Sequence, residues 1–124
     1  MRKHTLAALL SGVLLAWPAF AHHSFAMFDR NAQVEIEGVV KEFQFTNPHS
    51  WIQVIVTPAD GGAPKEWSIE ALSPNVLGRA GWKKNTLKPG DRIKLLINPL
   101  RDGNAGGNLL LVTLPDGTKL GGGA

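Results

Sequence analysis

Five short runs of alternating or β-branched apolar residues, each closed by proline, glycine or an Asp-Gly pair, restrict this chain to strands and tight turns. Val34-Glu35-Ile36-Glu37 alternates apolar and charged residues, the pattern of a half-buried strand. Further along the same run the apolar parity changes: it is even at Val34, Ile36 and Val40, but odd at Phe43 and Phe45. A long strand that changes face predicts a bulge or a sharp coil. Asn47-Pro48 interrupts the ladder, and Trp51 to Thr57 (WIQVIVT) reads as a second strand buried on both faces. Pro58 to Pro64 is a hairpin loop, and Glu66 to Leu72 is a third strand.

Ser73-Pro74 has the chemistry of a helix start, a hydroxyl N-cap followed by a proline whose missing N–H costs nothing there. Gly78 and Gly81 keep that helix short, and Trp82 closes it against the strands. Lys88-Pro89-Gly90-Asp91 places proline and glycine as a type II turn prefers. Arg92 to Asn98 is a fourth strand, Arg101 to Asn108 a glycine-rich loop, and Leu109 to Leu114 a fifth strand. Pro115-Asp116-Gly117 turns the chain before Thr118 to Leu120. Three strands, a short helix and two strands is the element order of an OB-fold. The expected class is therefore all-β with one short helix, a small OB-fold-like five-stranded barrel; an open β-sandwich is the competing architecture. The chain has no cysteine. Barrel closure, which removes exposed edges, and an apolar core must hold it instead, and no thiolate is available for chemistry.

Residues 1–21 read as a secretory signal peptide. Arg2, Lys3 and His4 are basic, Leu6 to Trp17 is apolar apart from Ser11 and Gly12, and Ala19-Phe20-Ala21 has the small-x-small form of a cleavage site. The apolar run falls short of the roughly 20 residues that span a bilayer, so cleavage is expected rather than anchoring. Cleavage after Ala21 leaves 103 of the 124 residues, a single domain in the periplasm or outside the cell, with no stable membrane anchor. It divides into an extended segment, 22–33, pinned by Phe25, Met27 and Phe28, an OB-like barrel, 34–120, and a loose tail, 121–124. Of the 13 basic residues two leave with the signal, so the formal balance falls from +3 to +1. That balance gives no phosphate-binding surface, and no nucleic-acid partner is expected.

Several blocks follow one another along the chain: His22-His23-Ser24-Phe25, Thr46-Asn47-Pro48-His49-Ser50-Trp51, Ser73-Pro74-Asn75 leading to Gly81-Trp82, Leu87-Lys88-Pro89-Gly90-Asp91, and Thr113-Leu114-Pro115-Asp116-Gly117. In that order and spacing the chain resembles the exported bacterial proteins of domain of unknown function 6152. The resemblance covers essentially the whole mature chain. It implies export and a small β domain, and no activity.

The mature chain holds three histidines, His22, His23 and His49. Cleavage would make His22 the first residue. Its α-amine, with a pKa of roughly 7.7–8.0, and its ring Nδ1 can then chelate one metal ion. A second imidazole completes a T-shaped three-nitrogen set, a histidine brace. His49 is the natural third donor, because its loop flanks the ligand face of an OB-fold, and His23 is the substitute. Nitrogen donors in a tetragonal set favour copper over zinc or nickel. Plainer roles are open for each: His22 and His23 as solvated residues at a chain end, His49 as a brace of the Asn47-Pro48 turn.

Other groups point to less. Asp29, Glu35, Glu37 and Glu42 form no catalytic pair, and the glutamates alternate as a solvated strand face does. Asp102-Gly103-Asn104 is a turn without the closing glutamate of a calcium loop. Ser24, Ser50, Ser68 and Ser73 have no nucleophile-elbow context. Trp51, Trp67 and Trp82 are either core or a stacking platform. The leading expectation is an exported binding module, carrying copper at His22 and His49, with no catalytic residue identified. Its rivals are a metal-free barrel that binds a small ligand or an envelope protein, and a copper-dependent oxidase.

Overall fold

The computed structural model describes residues 25–122; the expected signal peptide, His22 and His23 lie outside that range. Six strands and one helix follow in order: β1 Val34–Gln44, β2 Ser50–Val56, β3 Lys65–Ala71, α1 Pro74–Arg79, β4 Arg92–Pro99, β5 Gly106–Thr113 and β6 Lys119–Gly121. β1 pairs antiparallel with both β2 and β4, β2 with β3, and β4 with β5. A parallel pairing of β3 with β5 closes the ring. The result is a closed five-stranded barrel in the order 1-2-3-5-4, with β6 added outside on β5. It is the OB-like barrel that the element order predicts, and closure excludes the open sandwich.

The change of face in β1 is a bulge. The register with β2 shifts between Val40 and Glu42, so Ile36 and Val40 on one side of it and Phe43 on the other all reach the core. Gly38 lies just before, where a Cβ would collide with the backbone of Ile55. Ile52, Val54, Ile69, Ile93, Leu95, Ile97, Leu109 and Val112 fill the interior. Ser73 caps α1 by accepting a hydrogen bond from the Val76 N–H, with Pro74 in the first turn. Leu77 of α1 and Trp82 after it are buried in the same core, and the Trp82 indole N–H donates to the Gly121 carbonyl at 2.8 Å. Gly90 has φ +94° and Asp91 N–H bonds the Lys88 carbonyl, as the expected type II turn requires.

Four expectations need correction. β2 is not buried on both faces: Ser50, Ile52 and Val54 are inside, while Trp51, Gln53 and Ile55 are half-buried. Its density of β-branched residues reflects strand propensity on both faces, not two cores. The glycine-rich stretch up to Asn108 is not all loop. Gly106, Gly107 and Asn108 open β5 and make the closing seam with Ser68, Ile69 and Glu70. A Cβ on Gly107 would sit 2.6 Å from the Asn98 carbonyl oxygen, so the glycine marks strands in close approach rather than a turn.

The segment before β1 is not simply extended. Phe25–Met27 forms one 3₁₀ turn, and only Phe28 is buried, at 4 % exposure. Phe25 and Met27 stay exposed. The end of the chain is not loose where it is described, since Gly121 belongs to β6 and Gly122 N–H donates to the Leu110 carbonyl.

Candidate functional site

Side chains that are direct partners across a sheet point to the same face. Trp51 pairs with Glu70, Glu70 with Asn108, and Asn108 with Asn98. The inward residues of these strands are Ile52, Ile69, Leu109 and Ile97, so this row of four stands on the outer face of the barrel. An outer face is ordinarily wet. Here Glu70 is 3 % exposed, Asn98 5 % and Asn108 9 %.

The N-terminal segment covers them. Phe28 forms a bridge with Leu100, Asp29 N–H donates to the Pro99 carbonyl at 2.8 Å, and Arg101 N–H donates to the Met27 carbonyl at 2.9 Å. The Arg101 guanidinium adds a bond from Nε to the Ala26 carbonyl at 3.0 Å. Residues 25–29 thus form a strap across the face where OB-folds hold ligands. The Phe28 ring lines two cavities. One, of about 120 Å³, lies against Met27, Trp51, Ser68 and Glu70. The other, of about 220 Å³, lies against Asn98, Asn108, Leu72, Leu110, Phe25 and Arg30. A larger opening of about 410 Å³ lies elsewhere, at the Gly38 bend. Two of its charged groups already pair, with Arg92 3.7 Å from Glu37.

His49 stands at the entry to β2, in the loop between β1 and β2. Thr46 steadies that loop by donating its hydroxyl to the His49 carbonyl at 3.0 Å. The imidazole turns toward Glu70, with Nδ1 3.1 Å from Oε1. This is ion-pair distance without hydrogen-bond alignment, because Nδ1 is buried and makes no aligned bond. Nδ1 being buried, the exposed 26 % of the side chain lies on the rest of the ring. A carboxylate behind one ring nitrogen, with the other side of the ring open, is how metal-ligating histidines are commonly held.

Of the three histidines singled out in the sequence, only His49 falls among the described residues. No group of three or more His, Cys, Asp or Glu side chains able to hold a metal ion occurs among the described residues. A metal at His49 would therefore need donors from beyond them. The tryptophans divide: Trp82 is buried, Trp67 packs against the core from a half-buried position, and Trp51 stands outside in the row. They form no shared platform.

Glu70, Asn98 and Asn108 were not legible as site residues. In sequence Glu70 is one polar position in an alternating strand, which reads as solvent-facing. Their burial comes from the strap, which has no period of its own.

No helix among the described residues is long and apolar enough to cross a membrane. Compared with known proteins, the chain matches the Family of unknown function (DUF6152) over residues 10–109. No curated protein and no solved structure matches it.

Proposed function

From the premise that the chain belongs to the Family of unknown function (DUF6152), we propose that it is an exported binding module that holds one copper ion between its processed N-terminus and His49. The donors are the α-amine and ring of His22 and the exposed side of the His49 ring, with His23 as the substitute donor. The observation that carries the reading is the His49–Glu70 pair, 3.1 Å apart under the strap. A carboxylate exposed to only 3 % loses several kcal/mol of hydration, which one misaligned imidazole offsets poorly. A cation on the far side of that imidazole supplies the missing positive charge.

Chain length supports the same arrangement. From Met27, which lines the cavity beside Glu70, five residues lead back to His22, a reach of at most roughly 17 Å. Three nitrogen donors without a thiolate suit Cu(II).

The test is a competitive copper titration of the chain beginning at His22. The expected result is one ion per chain, with nitrogen hyperfine structure in the EPR spectrum. His22→Ala and His49→Ala should each lower affinity at least tenfold, and so should a chain that retains Ala21 and blocks the amine. Binding that ignores all three changes, or no tight binding, refutes the reading. Mass spectrometry of the protein from its own cell gives the true N-terminus and any retained metal.

A further inference from the structure

The 220 Å³ cavity on the other side of Phe28 carries chemistry that the copper reading does not use. Two of its groups are amides on neighbouring strands, Asn98 and Asn108, both more than nine-tenths buried. Asn98 spends one N–H on the Ala32 carbonyl at 2.8 Å, which fixes the amide and leaves its oxygen and second N–H. No hydrogen bond among the described residues engages the Asn108 side-chain amide. Its polar atoms are nevertheless not sealed against solvent, since they are absent from the buried atoms that lack a partner. Asn108 is one of the residues that line the cavity. An amide without a protein partner at a cavity wall is left to water or to a ligand.

The remaining walls are apolar, from Phe25, Phe28, Leu72 and Leu110. Arg30 is the single charged residue lining the cavity; it is exposed and in no ion pair among the described residues. We propose that this cavity binds a small apolar carboxylate, its anionic head on Arg30 and Asn108 and its body against Phe25, Phe28, Leu72 and Leu110. Arginine matches a carboxylate through two parallel N–H bonds, and the Asn108 amide adds a donor that the chain itself leaves unused. The volume lies below the roughly 300–1,000 Å³ of pockets for drug-sized ligands, which limits the occupant to a fragment such as an aromatic or branched short-chain acid. The site is independent of copper.

The probe is benzoate, against its uncharged analogue benzamide, titrated in a chelator into ¹⁵N-labelled chain beginning at His22. Benzoate is expected to shift the amide signals of Arg30, Asn98 and Asn108 saturably at millimolar concentration, with benzamide about tenfold weaker. Arg30→Gln, a change at an exposed position, should bring benzoate down to the level of benzamide. Asn108→Leu should weaken both about tenfold while the signals of β1 and β2 stay in place. No saturable shift, shifts centred on the Gly38 bend, or equal binding of benzamide and benzoate would each overturn the proposal.

Discussion

Replacing Phe28 with alanine should cost about 3 kcal/mol of folding stability and uncover the polar row without opening the barrel. An aromatic ring buries roughly 150–250 Å² at about 25 cal/mol/Å², an upper limit of about 4–6 kcal/mol. Phe→Ala changes in packed cores cost about 3–5 kcal/mol. Phe28 belongs at the low end of that range. Its ring is 4 % exposed but already borders cavities of about 120 and 220 Å³, so part of its surface has no packing partner to lose. Truncation also joins those cavities beside Glu70 and Asn108, where water can enter and offset part of the loss. The strap's backbone bonds, such as Asp29 to Pro99 and Arg101 to Met27, contribute about 1 kcal/mol each and do not substitute for the ring. Urea unfolding of the chain beginning at His22 measures the effect. In a domain of this size it corresponds to a fall in Tm of about 12 °C or more. Amide exchange should show the loss concentrated in residues 28–32, with β2 and β4 still protected. A cost below about 1 kcal/mol at unchanged m would mean that the strap is not packed on this face, and would remove the basis for both proposed sites.

Three further outcomes follow from other contacts. Gly107→Ala places a Cβ 2.6 Å from the Asn98 carbonyl oxygen and 2.8 Å from the Ile97 side chain, and should cost about 1–3 kcal/mol in urea. Gly121→Ala meets nothing within 4 Å and should stay within about 0.5 kcal/mol; equal effects would contradict the closing seam. Glu70→Gln keeps the shape but removes the charge behind His49. Copper affinity should fall about 10–100-fold while urea stability holds or rises, and unchanged affinity would separate Glu70 from the metal. The Asp116 carboxyl is held below its ordinary range chiefly by the Thr118 backbone N–H at 2.8 Å. Its support for the turn before β6 is therefore complete above the ordinary carboxylate range and lost as pH falls through the lowered value. The Thr118 amide shift in NMR should titrate with a midpoint below that of an unperturbed aspartate, and a midpoint at or above it would contradict the bond.

The five barrel strands and the β1 bulge were legible because they are written in local periodicity, whereas the short outer strand β6 was not counted. The parity switch from Val40 to Phe43 is a two-residue signal, and the register shift lies where it points. Ser73-Pro74 and Lys88-Pro89-Gly90-Asp91 were legible for a similar reason, since each satisfies its own backbone geometry with its own side chains. The closing seam was not. Gly106-Gly107 carries no apolar alternation, and glycine reads as loop unless the strand it must approach is known. That strand, β3, lies nearly 40 residues earlier. Parallel pairing across that separation leaves no local trace.

The candidate site was illegible for a related cause, and its location follows from it. Glu70 and Asn98 sit where their own strands predict an exposed polar side chain, and Asn108 where the sequence reads as loop. Burial arises where an aperiodic segment, 25–29, lies over strands that barrel closure brings together. Local rules and tertiary placement thus conflict at Glu70, Asn98 and Asn108, and agree through most of the barrel interior. Such conflicts cost stability, since a buried carboxylate and an amide without a protein partner are each worse than an apolar side chain of similar size. Conflicts of this kind are expected at functional positions and rarely elsewhere. A barrel selected for stability alone would place leucine or valine under Phe28. That conflict is the physical ground for proposing the strap as the roof of a binding face, with His49 beside Glu70 and Arg30 beside Asn108.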